Sequence, residues 1–570
     1  MMMKLRTTAS IILFSLLGAC AADGGERLVI DKAREMSSSR YGFFLAARHA
    51  QVEGDNLAAA NFFAKVLENE PENTEIKRRA YQLMAGEGRM ETAETMAKHV
   101  LAEEKDTIFA AFLLASREVK RGDFVAAEKY LTNMPPGRGI GVFMFPLTLA
   151  WVKAGQGKFD DALKALAPLK DSKSLHTIYE FHAGLIEEIA GHESEAAAHY
   201  VNTMASPGGL SVRAVSVVSA LHMRQGQIAK ARAFKMMYRQ QHPDSLLLDT
   251  ILIEGNEASV SPIKNATEGL AEAFFGVAGT LRQGGIADLS LMMVRMALDL
   301  QPDFNLAQIL LAEILEEMGR LAEANKIYAA IPANSPLNWF GKLRQAENLY
   351  REKKADQSIP LLEELAKSRT DRSEPLVVLG DIMRSEKRYA EAAAAYDRAI
   401  GRVDANQRRN WSVFYSRGIA NERAKMWDKA EKDFEHALKL NPEQPHVLNY
   451  LAYSWVDRGV RLEEAREMLE KAASQRPRDG YIVDSVGWVL YRLGDYPGAV
   501  FKLERAIELK PDDPVINDHL GDALWQVGRR EEANFQWQRA LVFEPEPEEV
   551  DKIKAKIQGG LDAVPSVQAR

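Results

Sequence analysis

The chain holds one cysteine and 11 histidines, the residue types that most often carry nucleophilic or metal chemistry. No histidine stands in a His-Glu-x-x-His arrangement, which would set two ligands one helical turn apart around a zinc ion. His182 and His192 belong to different helical stretches, so no metal site is expected. Gly137-Arg138-Gly139-Ile140-Gly141 is rich in glycine, but it lacks the full phosphate-cradling spacing and no strand precedes it. No Gly-x-Ser-x-Gly elbow presents a serine. The acidic pair Glu187-Glu188 takes adjacent positions on an exposed helix face, not two sides of a cleft. The expectation is a protein that is not an enzyme and uses no metal or cofactor.

Recognition chemistry is better represented near the C-terminus. Asn449 and Tyr453 form one set, Asp484, Trp488 and Tyr491 a second, and Asp518, Asp522 and Trp525 a third. Spacings of four and three keep each set on one face of a helix. Aromatic rings beside carboxylates suit an extended polypeptide with basic residues, and aromatic anchors often dominate such interfaces. The competing reading is that these rings pack between helices.

The elements that would position them repeat along the chain. Glycines recur at Gly54, Gly88, Gly122, Gly157, Gly191 and Gly226, then at Gly285 and Gly319, and finally at Gly459, Gly494 and Gly528. Between the last two groups Lys354, Lys387 and Lys425 fill the same place. Five residues after the glycines of the first group stand Ala59, Ala93, Ala127, Ala162, Ala196 and Ala231. Prolines close repeats at Pro71, Pro302, Pro442, Pro477, Pro511 and Pro545. Each period reads as two helices. An apolar stripe such as Val483, Val486 and Leu490 is buried, and a glycine supplies the turn. Gly487 and Ala499 permit close approach, and Leu503 and Trp537 fill the gap to the next repeat. One hairpin cannot bury its own apolar face, so the units must stack. Between Pro243 and Leu270 the period fails, and the segment reads as a hinge or as a degenerate repeat with a long turn.

These positions resemble the tetratricopeptide repeat (TPR). Asp484-Ser485-Val486-Gly487-Trp488 through Leu503-Glu504-Arg505-Ala506 to Pro511 carries the likeness. So does Asp518-His519-Leu520-Gly521 through Ala533, Trp537 and Ala540 to Pro545. The resemblance implies an all-α TPR solenoid, a right-handed superhelix of about 13–14 helix-turn-helix repeats. It also implies that the three residue sets above face a concave groove. Neither the Lys and Asn residues of a chaperone-type carboxylate clamp nor the Asn ladder of the glycosyl-transferase repeats is present, so those ligand modes do not transfer.

The N-terminus reads as a processing signal. Lys4 and Arg6 precede an apolar run from Ile11 to Leu17, too short to span a bilayer permanently. Leu17-Gly18-Ala19-Cys20 resembles the lipobox of bacterial lipoproteins, which makes Cys20 a lipid anchor. By resemblance to lipoprotein sorting, Ala21 in place of aspartate points to the periplasmic face of the outer membrane. The formal net charge of −7 opposes a nucleic-acid partner, and removing the basic leader makes the body more acidic still. Short basic runs such as Lys77-Arg78-Arg79 and Arg408-Arg409 read as solvated faces.

The expected organisation is a signal peptide at 1–19 and a lipidated tether at 20–39. An N-terminal array follows at 40–243, an irregular stretch at 244–270, a middle array at 271–372 and a C-terminal array at 373–545. A capping helix and tail take 546–570. Lipobox, tether and array together resemble a group of Gram-negative TPR lipoproteins. Asn449-Tyr450-Leu451-Ala452-Tyr453 and Gly269-Leu270-Ala271-Glu272-Ala273-Phe274-Phe275 carry much of that likeness. The group includes adaptors that bring substrates to periplasmic carboxyl-terminal processing proteases. The resemblance implies a protein-binding scaffold that holds such a protease with peptidoglycan hydrolases. The alternative is an assembly factor for export of a polysaccharide, pilus or secretin.

Overall fold

A computed structural model describes residues 40–104, 107–132, 139–206, 211–242, 245–247 and 263–563. The expected leader, Cys20, the tether, Gly137-Arg138, most of the irregular stretch and the last seven residues lie outside them. The described residues form 29 α-helices and no strand. Two compact units divide at Lys353 and Lys354. In the first, helical hairpins run from Arg40–Val52 with Asn56–Asn69 to Asn305–Glu317 with Leu321–Ala330, followed by Asn338–Arg351. The second begins with Ala355–Ser368 and runs through hairpins to Pro514–Gln526 with Arg530–Val542, then closes on Pro547–Gly559.

One turn recurs between paired helices. Gly88 takes φ 77°, and the amide of Arg89 donates to the Met84 carbonyl at 2.8 Å, which closes the preceding helix with a six-residue wrap. The amide of Asp495 does the same to Leu490 at 2.9 Å after Gly494. In three repeats the left-handed residue is a lysine: Lys353 at φ 63°, Lys387 at 59° and Lys425 at 62°. The first of these corrects the expected Lys354, which instead precedes the next helix at φ −105°. Side chains carry a penalty of about 1–2 kcal/mol in this conformation. Lys425 is exposed, so Lys425→Gly should stabilise the protein by about 1 kcal/mol in chemical denaturation. A loss of stability instead would show that its stem packs usefully.

Close approach within each hairpin follows a second rule. Gly487 lies directly against Leu503, Gly521 against Trp537, Gly380 against Tyr396, Gly418 against Phe434 and Gly184 against Tyr200. Each large residue follows its glycine by the same sixteen positions. Leu503 and Trp537 therefore fill space inside their own repeat, not only the gap to the next one. In the basic run at 77–79 only Arg78 is exposed, Arg79 is paired to Glu75 at 2.6 Å, and the Lys77 side chain is largely covered, which corrects the expected solvated face at that residue.

In the first unit the chain also packs far from neighbours in sequence. The helix Ala266–Gln283 lies on Gly141–Gly155 and His176–Ala190, and Ala287–Leu300 lies on Thr74–Gly86 and Ile108–Lys120. Gly269 leaves no room for a Cβ against the fully buried Trp151 ring, and Gly86 rests on Leu291. Polar ties fix the register. Asn56 Nδ2 donates to Asp288 at 2.6 Å, Arg117 to Asp299 at 2.7 Å and Arg213 to Glu272 at 2.8 Å. Arg320 grips Glu87 through both terminal nitrogens at 2.7 and 2.6 Å. Arg117 also donates to Glu94 at 2.8 Å. Burial raises the Glu94 carboxyl, but Arg121, Arg117 and Lys98 overcome it and hold the pKa near about 2. A helix pair of the same chain thus packs on the first helices of the N-terminal repeats.

Candidate functional site

The three C-terminal residue sets sit on successive first helices, Pro445–Arg458, Gly480–Leu493 and Pro514–Gln526. Each helix has an aspartate or glutamine cap, and each starts or nearly starts with a proline or glycine. Asp513, for example, accepts from the amides of Val515 and Ile516, satisfying donors that a helix start leaves free. In the last two of these pairs the second helix packs closely on the first, Leu503 on Gly487 and Trp537 on Gly521.

The structure brings the middle set together around a residue outside it. His519 Nδ1 lies 3.0 Å from Asp484 Oδ1 and 3.2 Å from Oδ2, and both residues are buried. Trp488 stacks on the His519 ring at 4.0 Å and 9°, and on Tyr491 at 4.8 Å and 6°. Tyr453 approaches the same histidine at 6.4 Å. Burial opposes charge on His519, yet Asp484, with Asp518 and Asp522 behind it, keeps its pKa above the usual value. Burial pushes the Tyr491 phenol up to about 12 and the Tyr453 phenol well above its ordinary range.

The last set meets the closing helix Pro547–Gly559. Lys556 Nζ lies 2.8 Å from both Asp518 and Asp522, and Trp537 Nε1 donates to Asp522 at 2.9 Å. Burial works against the Lys556 charge, but Asp522 and Asp518 hold its pKa high. Burial, then the charge of Asp518, raises the Asp522 carboxyl to about 6 against the pull of Lys556. Trp525 packs 5.4 Å from Trp537, with the backbone of Gly560 directly against its ring. The start of the same helix reaches Lys387, whose Nζ is 3.1 Å from Glu546.

Asn449 completes the picture. Its Oδ1 is buried without a hydrogen-bond partner, and so is Trp488 Nε1. The residues that sequence reasoning missed are His519, which pairs with Asp484, and Lys556, which pairs with Asp518 and Asp522. His519 falls one place past the repeat-equivalent of Asp484, a register that would have placed it beside that acid. Among the described residues, no group of three His, Cys, Asp or Glu side chains is arranged to hold a metal ion.

Residues 343–408 and 415–480 match the tetratricopeptide repeat family model, and residues 487–528 match the TPR repeat model. The fold is a tetratricopeptide-repeat solenoid. A TPR repeat-containing protein of Pseudomonas aeruginosa is 27% identical over 186 residues, 32% of this chain. The chain spans only 30% of the length of that curated relative. Among solved structures, the Cut9–Hcn1 hetero-tetramer of the APC/C is similar at 14% identity, over 94% of this chain and 99% of that one, with TM-score 0.39. A TPR protein of Parabacteroides merdae is similar at 16% identity, over 45% of this chain and 99% of that one, with TM-score 0.37. TPR arrays generally serve as non-catalytic scaffolds that bind other proteins, and function in them resides in side chains on the array, not in the fold.

Proposed function

We propose that this chain is a non-catalytic scaffold held at the periplasmic face of the outer membrane by a lipid on Cys20. There it presents cell-wall hydrolases to a carboxyl-terminal processing protease. The observation that carries the binding half of this reading is the cluster of Tyr453, Asp484, Trp488, Tyr491 and His519 on neighbouring first helices. Its rings are stacked and held rigid by one buried ion pair, so little ordering entropy is lost when a partner docks. The tethering half rests on Leu17-Gly18-Ala19-Cys20.

Two measurements test it. Cys20→Ser should release the protein from the membrane fraction or leave an uncleaved precursor; a variant that fractionates with the outer membrane as before overturns the anchor. Affinity purification of the intact lipidated protein from membranes should return a processing protease together with hydrolases. Cells lacking the protein should degrade those hydrolases more slowly. Normal hydrolase turnover with loss of a surface structure would replace this reading with the export-assembly one.

A further inference from the structure

The helix Arg40–Val52 has one packed side and one apolar side that faces water. Ala47 and Ala50 are buried, Phe43 stacks on Phe62 with ring centres 6.4 Å apart, and Phe44 meets Phe63 at 6.3 Å, so Asn56–Asn69 covers the packed side. On the other side Tyr41, Leu45 and Val52 are 65%, 66% and 79% exposed. Arg48 and His49 are exposed among them. With about 3.6 residues per turn, these five positions share one face about 100° wide. Large apolar side chains gathered on one water-facing side mark a contact surface. The helix contains no acidic residue. Arg48 donates to the neighbouring Gln51 Oε1 at 2.9 Å and keeps its charge on that face. Lys65 of the next helix adds a cation 5.1 Å from the Phe43 ring. The acids that follow in sequence are Glu53, exposed in the turn, and Asp55, whose carboxylate accepts from the amide of Ala58.

We propose that this face of Arg40–Val52 docks on a phospholipid surface with anionic headgroups, in the leaflet that holds the lipid on Cys20. The inference rests on the tethered-scaffold reading and gives it a geometry. Residues 21–39 separate Cys20 from the helix and span at most about 65 Å, so the anchor keeps this helix within reach of the bilayer. Contact then becomes an intramolecular event, and a face too weak to bind lipid from solution is still occupied. Leu45 and Val52 enter the boundary between headgroups and acyl chains. Tyr41 suits the same depth, with its ring in the boundary and its hydroxyl among the headgroups. The Arg48 stem lies along apolar surface while its guanidinium meets phosphate. A protein partner would have to find this face, whereas the bilayer is always near it. Docking sets the start of the array at the membrane surface.

The single cysteine makes the test direct. The chain from Cys20 onward is coupled through that thiol to a maleimide lipid in vesicles, and amide hydrogen exchange is followed by mass spectrometry. One set of vesicles is equimolar phosphatidylethanolamine and phosphatidylglycerol, the other phosphatidylcholine. On the anionic vesicles the amides of Arg40–Val52 should exchange about tenfold more slowly than in the uncoupled chain, with a smaller effect on phosphatidylcholine or at high salt. Leu45→Asp and Arg48→Glu should each abolish the difference. Both side chains are exposed, so exchange in the uncoupled variants should match the uncoupled wild type. No added protection on coupling, or the same added protection in Leu45→Asp, overturns the proposal. So does protection in the uncoupled chain that rises with protein concentration, which marks a second copy, or that Leu45→Asp removes, which marks a segment of the chain itself. The coupling is chemical, so failure to dock sinks this inference alone, while membrane fractionation of Cys20→Ser judges the anchor.

Discussion

Trp151→Ala is expected to cost about 3–5 kcal/mol and to loosen two distant stretches of the first unit together. Trp151 is fully buried, donates from Nε1 to His182 Nδ1 at 3.2 Å and fills the space left by Gly269. Removing the indole opens a cavity between the helix Gly141–Gly155 and the helix Ala266–Gln283, which are joined by no turn of their own. Native-state hydrogen exchange should therefore show lost protection in both helices. A repeat array coupled only to its nearest neighbours would lose protection around 141–170 and keep it at 266–300. That result would mean the distant contact adds little. The long-range ties of Arg117, Arg213 and Arg320 predict the opposite, with residues 40–353 melting as one cooperative body.

How much of this could be read from residues alone follows from the range of each interaction. The turn glycines were legible because a positive φ is a local demand, repeated at nearly constant intervals; Gly54 to Gly528 all carry it. The slip from Lys353 to Lys354 has the same origin. Two adjacent lysines offer no chemical contrast, and only the backbone separates them. The packing of Asn56 on Asp288 was not legible, because a hydrogen bond across 232 residues leaves no periodic trace. The C-terminal set divides in the same way. Faces of single helices were readable from spacings of four and three. The cations that neutralise them come from the next repeat and from the closing helix, and no within-helix pattern points to His519 or Lys556.

Lys556→Met should be the more revealing substitution in the second unit. It removes the ammonium that pairs with Asp518 and Asp522 while keeping the length and much of the volume of the stem. Leaving buried carboxylates without their cation costs about 3–5 kcal/mol when they are ionised. The cost must depend on pH. In the folded chain the Asp522 carboxyl is already raised to about 6 from an ordinary value of 3.8, chiefly by burial, and losing Lys556 removes an attraction that lowers it. A carboxyl whose folded pKa is raised holds its proton more tightly in the folded state than in the unfolded one. Its favourable contribution is complete below the unfolded value and disappears as pH rises through the folded value. The variant should thus approach wild-type stability near pH 4–5, fall behind steadily through about pH 6, and show its full deficit by about pH 8. Thermal melts across that range, read alongside protection of the Pro547–Gly559 helix, measure it. An equal deficit at both ends would mean that Lys556 holds the closing helix by packing its methylenes, with the two aspartates no more than bystanders.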